Sequence, residues 1–270
     1  MSVPVFGVLA TAYMRWLEPH WLEITSKDLK LKGLTKSLRV LHLSDFHVTS
    51  ADDLHILSKA IDEGLSGKPD LAVITGDFFT TEFDDLQSYA QTLQALSNAI
   101  PTFACPGNHD GGAWAVRAHG YRDLTQLRTL LKTAKIPLLE NESVEMTIQG
   151  QAIRVAGLGD VWAQSFNPDK VLKPRTEAES TPTLVLSHNP DTKELLQSYH
   201  WDLLFCGHTH GGQCVIPLLG WRPFLPVRDK SFPEGVLTWR DRHIHITRGV
   251  GNLHGLRLNC RPEVSLLNLS

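Results

Sequence analysis

Five short apolar runs in this chain each end abruptly in a polar cluster, and that pattern restricts the fold more than any other feature. Val40-Leu41-His42-Leu43 runs into Asp45-Phe46-His47, and Leu71-Ala72-Val73-Ile74 into Gly76-Asp77. Thr102-Phe103-Ala104-Cys105 precedes Gly107-Asn108-His109-Asp110, and Leu184-Val185-Leu186 precedes His188. Leu203-Leu204-Phe205-Cys206 precedes Gly207-His208-Thr209-His210. Runs this short and apolar read as buried strands, with the polar residues where the strands end. Open α/β sheets bind ligands outside the carboxyl ends of their strands. Five strand ends bringing Asp, Asn and His to one edge therefore predict a single, metal-dependent active site.

Amphipathic helices alternate with these strands through the first half. Residues 53–65 place Leu54, Leu57, Ile61 and Leu65 at helical spacing, residues 86–96 repeat this with Tyr89, Leu93 and Leu96, and residues 124–131 do so again. Such alternation predicts parallel pairing with crossover helices. Residues 21–31, with Leu22, Ile24, Leu29 and Leu31 as apolar positions, read as an edge strand. Around residues 144–158 the rhythm changes to two strand-like runs about Gln149-Gly150-Gln151, a hairpin and hence antiparallel pairing. Residues 236–239 and 243–247 repeat the hairpin about Arg240-Asp241-Arg242, and residues 264–269 supply a last strand. A parallel half and a more antiparallel half imply two sheets packed face to face with helices outside. Without a repeat, linker or low-complexity stretch, residues 21–270 read as one catalytic domain.

Residues 1–20 stand apart. Residues 3–17 are mostly apolar but too short to span a bilayer comfortably, and they lack the basic region and cleavage site of a signal peptide. They fit a helix packed on the body, an interfacial anchor or the stub of a longer export segment; Phe6, Tyr13, Trp16 and Trp21 favour a membrane-surface role. The proline-rich apolar loop 215–227 points the same way, with Leu218, Leu219, Trp221, Phe224 and Leu225 as a possible exposed patch. The formal net charge of −3 gives no electrostatic reason to expect nucleic acid. Cys105, Cys206, Cys214 and Cys260 match no zinc or Cys-x-x-Cys spacing and read as structural thiols. That fits a reducing compartment, or a periplasmic protein with unpaired cysteines.

Besides His109 and Asp110, the clusters offer two Asp, one Asn and four His, more than one ion needs and about right for two. Paired-metal phosphoester sites need a shared carboxylate, and Asp77, alone after Gly76 at a strand end, is the natural bridge. Asp45 and His47, one residue apart, face the same side of an extended chain. The mixed carboxylate and imidazole set suits Mn, and accepts Fe, Zn or Co. A lone Gly-Asp or Ser-His-Asn is ordinary turn chemistry; the weight rests on all five clusters in order. Outside them, His20, His55, His119 and His200 read as surface residues, and His42 as part of an apolar strand. His243 and His245 read as one face of a strand, lining the cleft or half-exposed. Arg248 and Arg257 are candidates to clamp a second phosphate, His254 to touch substrate, and Trp114 and Trp162 to border the cleft.

The order Asp-x-His, Gly-Asp, Gly-Asn-His-Asp, His, Gly-His-x-His resembles the calcineurin-like metallophosphoesterase superfamily. Gly207-His208-Thr209-His210-Gly211-Gly212-Gln213, Arg248-Gly249-Val250-Gly251, Leu256-Arg257 and Arg261-Pro262-Glu263-Val264 resemble its bacterial membrane-associated branch. That branch holds the YaeI-like phosphodiesterases and a UDP-2,3-diacylglucosamine pyrophosphatase of lipid A synthesis. The resemblance implies an α/β four-layer αββα sandwich of two mixed β-sheets flanked by helices. It implies Asp45, His47 and His210 on one divalent metal ion, Asn108, His188 and His208 on a second, and Asp77 between them. His109 would be no ligand; it would stabilise charge or protonate the leaving oxygen, oriented by Asp110, while Asp160 resembles a position near the site. The implied reaction is hydrolysis of a phosphodiester or pyrophosphate in a phosphorylated small-molecule or lipid substrate, in the cytoplasm or at the cytoplasmic side of a bacterial inner membrane, the periplasm remaining open. A broad phosphodiesterase, a protein phosphatase and a non-catalytic lipid- or partner-binding scaffold are the competing readings; the scaffold would be marked by missing ligands, and none is missing.

Overall fold

The apolar runs become strands and distribute over two sheets. The computed structural model describes residues 3–176, 180–253 and 255–270, with side chains from residue 7 onward; His254 and the Phe6 side chain lie outside the described residues. In chain order the main elements are α1 (Val3–Ala12), β1 (Glu23–Leu29), β2 (Leu38–Leu43), α2 (Ala51–Ser66), β3 (Leu71–Thr75), α3 (Leu86–Ala99), β4 (Thr102–Cys105), α4 (Ala113–Arg117) and α5 (Thr125–Thr133). There follow β5 (Glu142–Ile148), β6 (Gln151–Gly157), β7 (Thr183–Leu186), α6 (Thr192–Leu195), β8 (Leu203–Cys206), β9 (Gly235–Trp239), β10 (Arg242–Ile246) and β11 (Glu263–Leu269).

The first sheet runs β1-β11-β2-β3-β4 and the second β5-β6-β7-β8-β10-β9. In the first, β2, β3 and β4 are parallel, while β11 lies antiparallel to β2 and parallel to the edge strand β1. The second sheet is the more antiparallel of the two, but its antiparallel pairing is confined to its edges. Its centre, β6, β7, β8 and β10, is parallel throughout, and only the hairpin partners β5 and β9 at its edges run antiparallel. Hairpins announce themselves by short polar turns, whereas the described residues of the crossovers 158–182 and 187–202 carry little regular structure of their own and leave no periodic signal.

Alternation along the strands builds the layers. Val40, Leu71, Val73 and Phe103 of the first sheet pack against Val155, Leu184, Leu203 and Phe205 of the second. The intervening residues Leu41, Leu43, Ala72 and Ile74 face the other way, onto Leu57, Ile61, Leu93, Leu127 and Leu131 of α2, α3 and α5. On the far side, Val185, Leu204 and Ile244 are covered by Leu196, Trp201, Val171 and Leu172. Helix α2 starts where Ser50 accepts the Asp53 amide while the Asp53 carboxylate accepts the Thr49 amide, a reciprocal cap. Its Gly64 lets Leu41 approach to where a Cβ would stand 2.8 Å from a Leu41 methyl.

Several surface readings are corrected. His245 is wholly buried between the sheets, its Nδ1 2.8 Å from Nδ1 of His42, because β10 is an inner strand covered by β2. Arg257 is fully buried, donating to the carbonyls of Arg248, Gly249, Gly251 and Cys260. Arg248 is occupied by Glu23 and Glu263. Neither arginine is available to clamp phosphate. In the loop 215–227, Leu218, Leu219, Trp221 and Phe224 are exposed, but Leu225 is buried. His200 is half-buried.

The N-terminal segment is tied to the body beyond α1. Met14 O accepts the Arg257 amide at 2.9 Å, and the buried Glu18 carboxylate accepts the Cys260 amide at 2.5 Å. Val8, Leu9, Trp16, Leu17 and Trp21 stay exposed. Among the described residues no helix is long and apolar enough to cross a membrane. All four cysteines are free and buried.

Candidate metal centre

The residues following β2, β3, β4, β7 and β8 converge at one edge of the sandwich, where the carboxyl ends of these strands of both sheets lie together. Two groups of ligand atoms gather there, Asp45 with His47 and His210, and Asp77 with His188 and His208; within each group the atoms lie within 4.8 Å of one another and all are buried. Asp77 Oδ2 stands 3.5 Å from His47 Nε2 and 3.0 Å from His188 Nε2, so it reaches into both groups. Glycine makes these approaches possible. A Cβ on Gly107 would sit 2.2 Å from Asp77 Oδ1, and one on Gly207 2.2 Å from Asp45 Oδ2.

Second partners fix which nitrogen each imidazole presents. His188 Nδ1 donates to Thr75 O at 2.6 Å, leaving Nε2 as the nitrogen that faces Asp77. His208 donates from Nε2 to Pro226 O, so Nδ1 is its inward atom, 3.2 Å from His188 Nε2. His47 Nδ1 is held by Thr80 Oγ1, and Nε2 lies 3.0 Å from His210 Nε2. Buried ring nitrogens this close, facing two carboxylates, are a poor arrangement alone and a good one around cations. Asn108 Oδ1, buried with no partner, fits the same donor set.

The electrostatics agree. Burial pushes Asp45 up to about 6, helped by the charge of Asp77. Burial drives His47 and His208 each down to about 3, and His210 well below its ordinary value, so all three rings are neutral with lone pairs free. For His188 burial acts downward but is outweighed by the charge and hydrogen bond of Asp77, which lift it to about 10. The pull of Asp77 thus keeps His188 protonated where the two side chains meet, the place a cation would take.

His109 and Asp110 separate in role. The Asp110 carboxylate accepts the amides of Asp77, Phe78, Phe79 and Gly107 at 2.7–3.2 Å, pinning the end of β3 against the end of β4. It therefore orients Asp77 and the backbone rather than holding the His109 ring. That ring borders the cavity, with Trp114 donating its indole N–H to Nε2 at 3.4 Å and Nδ1 left without a partner. Trp114 lies 4.5 Å from Trp162, whose ring meets His208 edge-on at 4.5 Å. Asp160 Oδ1 accepts the amides of Trp162 and Ala163, so it shapes the loop that carries Trp162. Thr75, Thr80 and Pro226 were not foreseen: a hydroxyl or carbonyl whose partner lies far along the chain has no local sequence signal. The centre opens into a cavity of about 370 Å³ whose walls are largely apolar, with Trp114, Ala118, Trp162, Phe224, Pro226 and Leu253.

The sequence profile of the family described as Calcineurin-like phosphoesterase matches residues 38–212. The chain is 39% identical over 259 residues to "Phosphodiesterase YaeI" of Escherichia coli (strain K12), covering 95% of this chain and 92% of that one. It is 26% identical over 325 residues to "UDP-2,3-diacylglucosamine pyrophosphatase LpxG" of Chlamydia muridarum, covering 98% and 96%. To the protein of the same name from Chlamydia trachomatis it is 28% identical over 324 residues, covering 96% and 94%. The chain belongs to the calcineurin-like phosphoesterase family, and is a phosphoester hydrolase.

Proposed function

We propose that this calcineurin-like phosphoesterase hydrolyses a phosphodiester or pyrophosphate bond in a lipid- or nucleotide-linked substrate. UDP-2,3-diacylglucosamine is the most specific candidate, and a broad phosphodiesterase is the alternative favoured by the 39% identity to a relative bearing that name. The observation that carries the reading is the pair of buried ligand groups joined by Asp77 at the floor of an apolar-walled cavity.

Asp45, His47 and His210 would hold one divalent cation and Asn108, His188 and His208 another, with Asp77 shared. Manganese suits the set, and iron, zinc or cobalt would be accepted. When bound, such a pair supplies Lewis-acid charge and activates water as the nucleophile. The rest is the work of the chain. Asp110 fixes Asp77 through the β3 backbone. The Trp114 indole donates to His109 Nε2, which would hold the ring at the cavity wall where it can serve a phosphoryl or leaving oxygen. The apolar walls limit water around the reacting phosphorus and strengthen each charge interaction there. The exposed aromatic and aliphatic residues of the N-terminal segment and the 215–227 loop support peripheral contact with a bilayer surface.

Purified protein reconstituted with Mn²⁺ should hydrolyse bis-p-nitrophenyl phosphate, and His109→Ala should lose that activity while retaining the same bound metal. Inactivity with every divalent metal tried would sink the reading. Release of UMP from UDP-2,3-diacylglucosamine separates the lipid-linked substrate from a general diester.

A further inference from the structure

A second cavity, of about 280 Å³, lies behind Trp162. It is contiguous with the metal centre in the chain as well as in space. Trp162 lines both cavities; His188 serves the metal centre and Asn189, the next residue, lines the second; Pro226 borders the first and Arg228 the second. In character the two differ. The first is walled by aromatic and aliphatic groups, whereas the second adds amide, ammonium, guanidinium and carboxylate groups to a lining that is still mostly apolar, with Val161, Leu195 and the Trp162 indole.

Most of the charge in the second cavity is already satisfied. Asp191 accepts the amides of Arg228 and Asp229, and Asp229 is ion-paired with Lys193 at 3.0 Å. Two donors stand out against this background. Asn189 is only 1% exposed; its Oδ1 accepts the Asp191 amide, but its amide nitrogen is buried with no partner. A buried donor of this kind is rare in a finished core and common in a site awaiting an acceptor. Arg228 is exposed at the lip, with its backbone held in place by the Asp191 carboxylate.

We infer that this cavity binds the hydroxyl-bearing arm of the substrate, a sugar or nucleoside, while the metal-side cavity takes an apolar group. An amide donor, a guanidinium and an indole face match the hydroxyls, carbonyls and flat faces of such an arm. The inference rests on the hydrolase reading above and narrows its substrate class to diesters with two unlike arms, the scissile phosphate lying at the boundary that Trp162 forms.

Two substrates with one common leaving group test it: the p-nitrophenyl ester of thymidine 5′-monophosphate, which carries a nucleoside arm, and bis-p-nitrophenyl phosphate, which carries none. The ratio of kcat/KM for the first to that for the second should fall more than threefold in Arg228→Ala, and about tenfold if one charged hydrogen bond is lost. A smaller fall overturns the inference. Failure to cleave either substrate would instead count against the hydrolase reading. Independently of turnover, chelated protein should show saturable quenching of tryptophan fluorescence by thymidine 5′-monophosphate, weakened more than threefold by Arg228→Ala. Absence of quenching, or quenching indifferent to the substitution, overturns it as well.

Discussion

Acidification should unlock the interface between the two sheets through His245. This imidazole is wholly buried against His42 and Phe205, and burial holds it down to about 4 from the ordinary 6.5, only partly opposed by the charge of Glu263. A histidine whose folded pKa is depressed adds stability above its unfolded pKa and loses it as pH falls through the window down to the folded value. Here that window runs from 6.5 to about 4. Over the whole window the loss is about 3 kcal/mol at roughly 1.4 kcal/mol per pH unit, and most of it is spent by pH 4.5. His42, also lowered by burial, acts in the same direction. Against a total of about 5–15 kcal/mol for a typical fold, this is a large fraction. The measurement is urea unfolding of metal-loaded protein from pH 7 to 4.5, parent against His245→Phe. The variant should start less stable at pH 7 by about 1–3 kcal/mol, because a His42 ring nitrogen loses its 2.8 Å partner. Its curve should then converge on the parent's as the pH drops. Parallel curves would refute the reasoning.

Two further perturbations probe the supports of the centre. Asp110→Asn keeps the shape but accepts on one oxygen only, stranding about two of four buried amides; a loss of about 2–6 kcal/mol in denaturant unfolding is expected. Gly207→Ala forces a methyl group onto Asp45, so the variant should bind close to one equivalent of metal by elemental analysis where the parent binds two; two equivalents in the variant would contradict the packing.

What the sequence made legible was whatever one strand and its own end determine. The apolar runs at 40–43, 71–74, 102–105, 184–186 and 203–206 mark strands because burial on both faces requires it, and the Asp, Asn and His after them mark one edge because parallel strands share a direction. Helices α2, α3 and α5 were readable from spacing alone. Pairing was not. That β10 joins β8 in parallel, and that β11 returns between β1 and β2, depends on partners about 40 and about 220–240 residues away, for which the chain carries no local mark. The same limit explains the arginines. Arg257 has the composition of a surface phosphate clamp, and only the carbonyls of the 248–260 loop closing around it show that it holds that loop shut. Likewise, Asp110 stands next to His109 in sequence but spends its oxygens on the end of β3.

The backbone of the centre makes a last prediction about metal and stability. Asp45, His47, Asp77, His208 and His210 all have φ between 48° and 68°, the left-handed region that side chains with a Cβ rarely occupy. At roughly 1 kcal/mol each, five such residues store about 5 kcal/mol of strain, alongside two buried carboxylates that repel each other. Nothing in the local sequence relieves this; on the proposed reading it is offset from outside, by cations bound to groups held ready for them. Free metal at a hundred times the dissociation constant stabilises by about 2.7 kcal/mol per site, so two sites offset the strain nearly in full. For a chain of this size that corresponds to a rise of about 10 °C or more in the unfolding midpoint. Calorimetry of chelated protein with and without added Mn²⁺ reads it directly. Asp77→Ala, which removes the proposed shared ligand, should unfold at a midpoint that hardly responds to metal. An equal rise in parent and variant would place the stabilising ion somewhere other than between these strands.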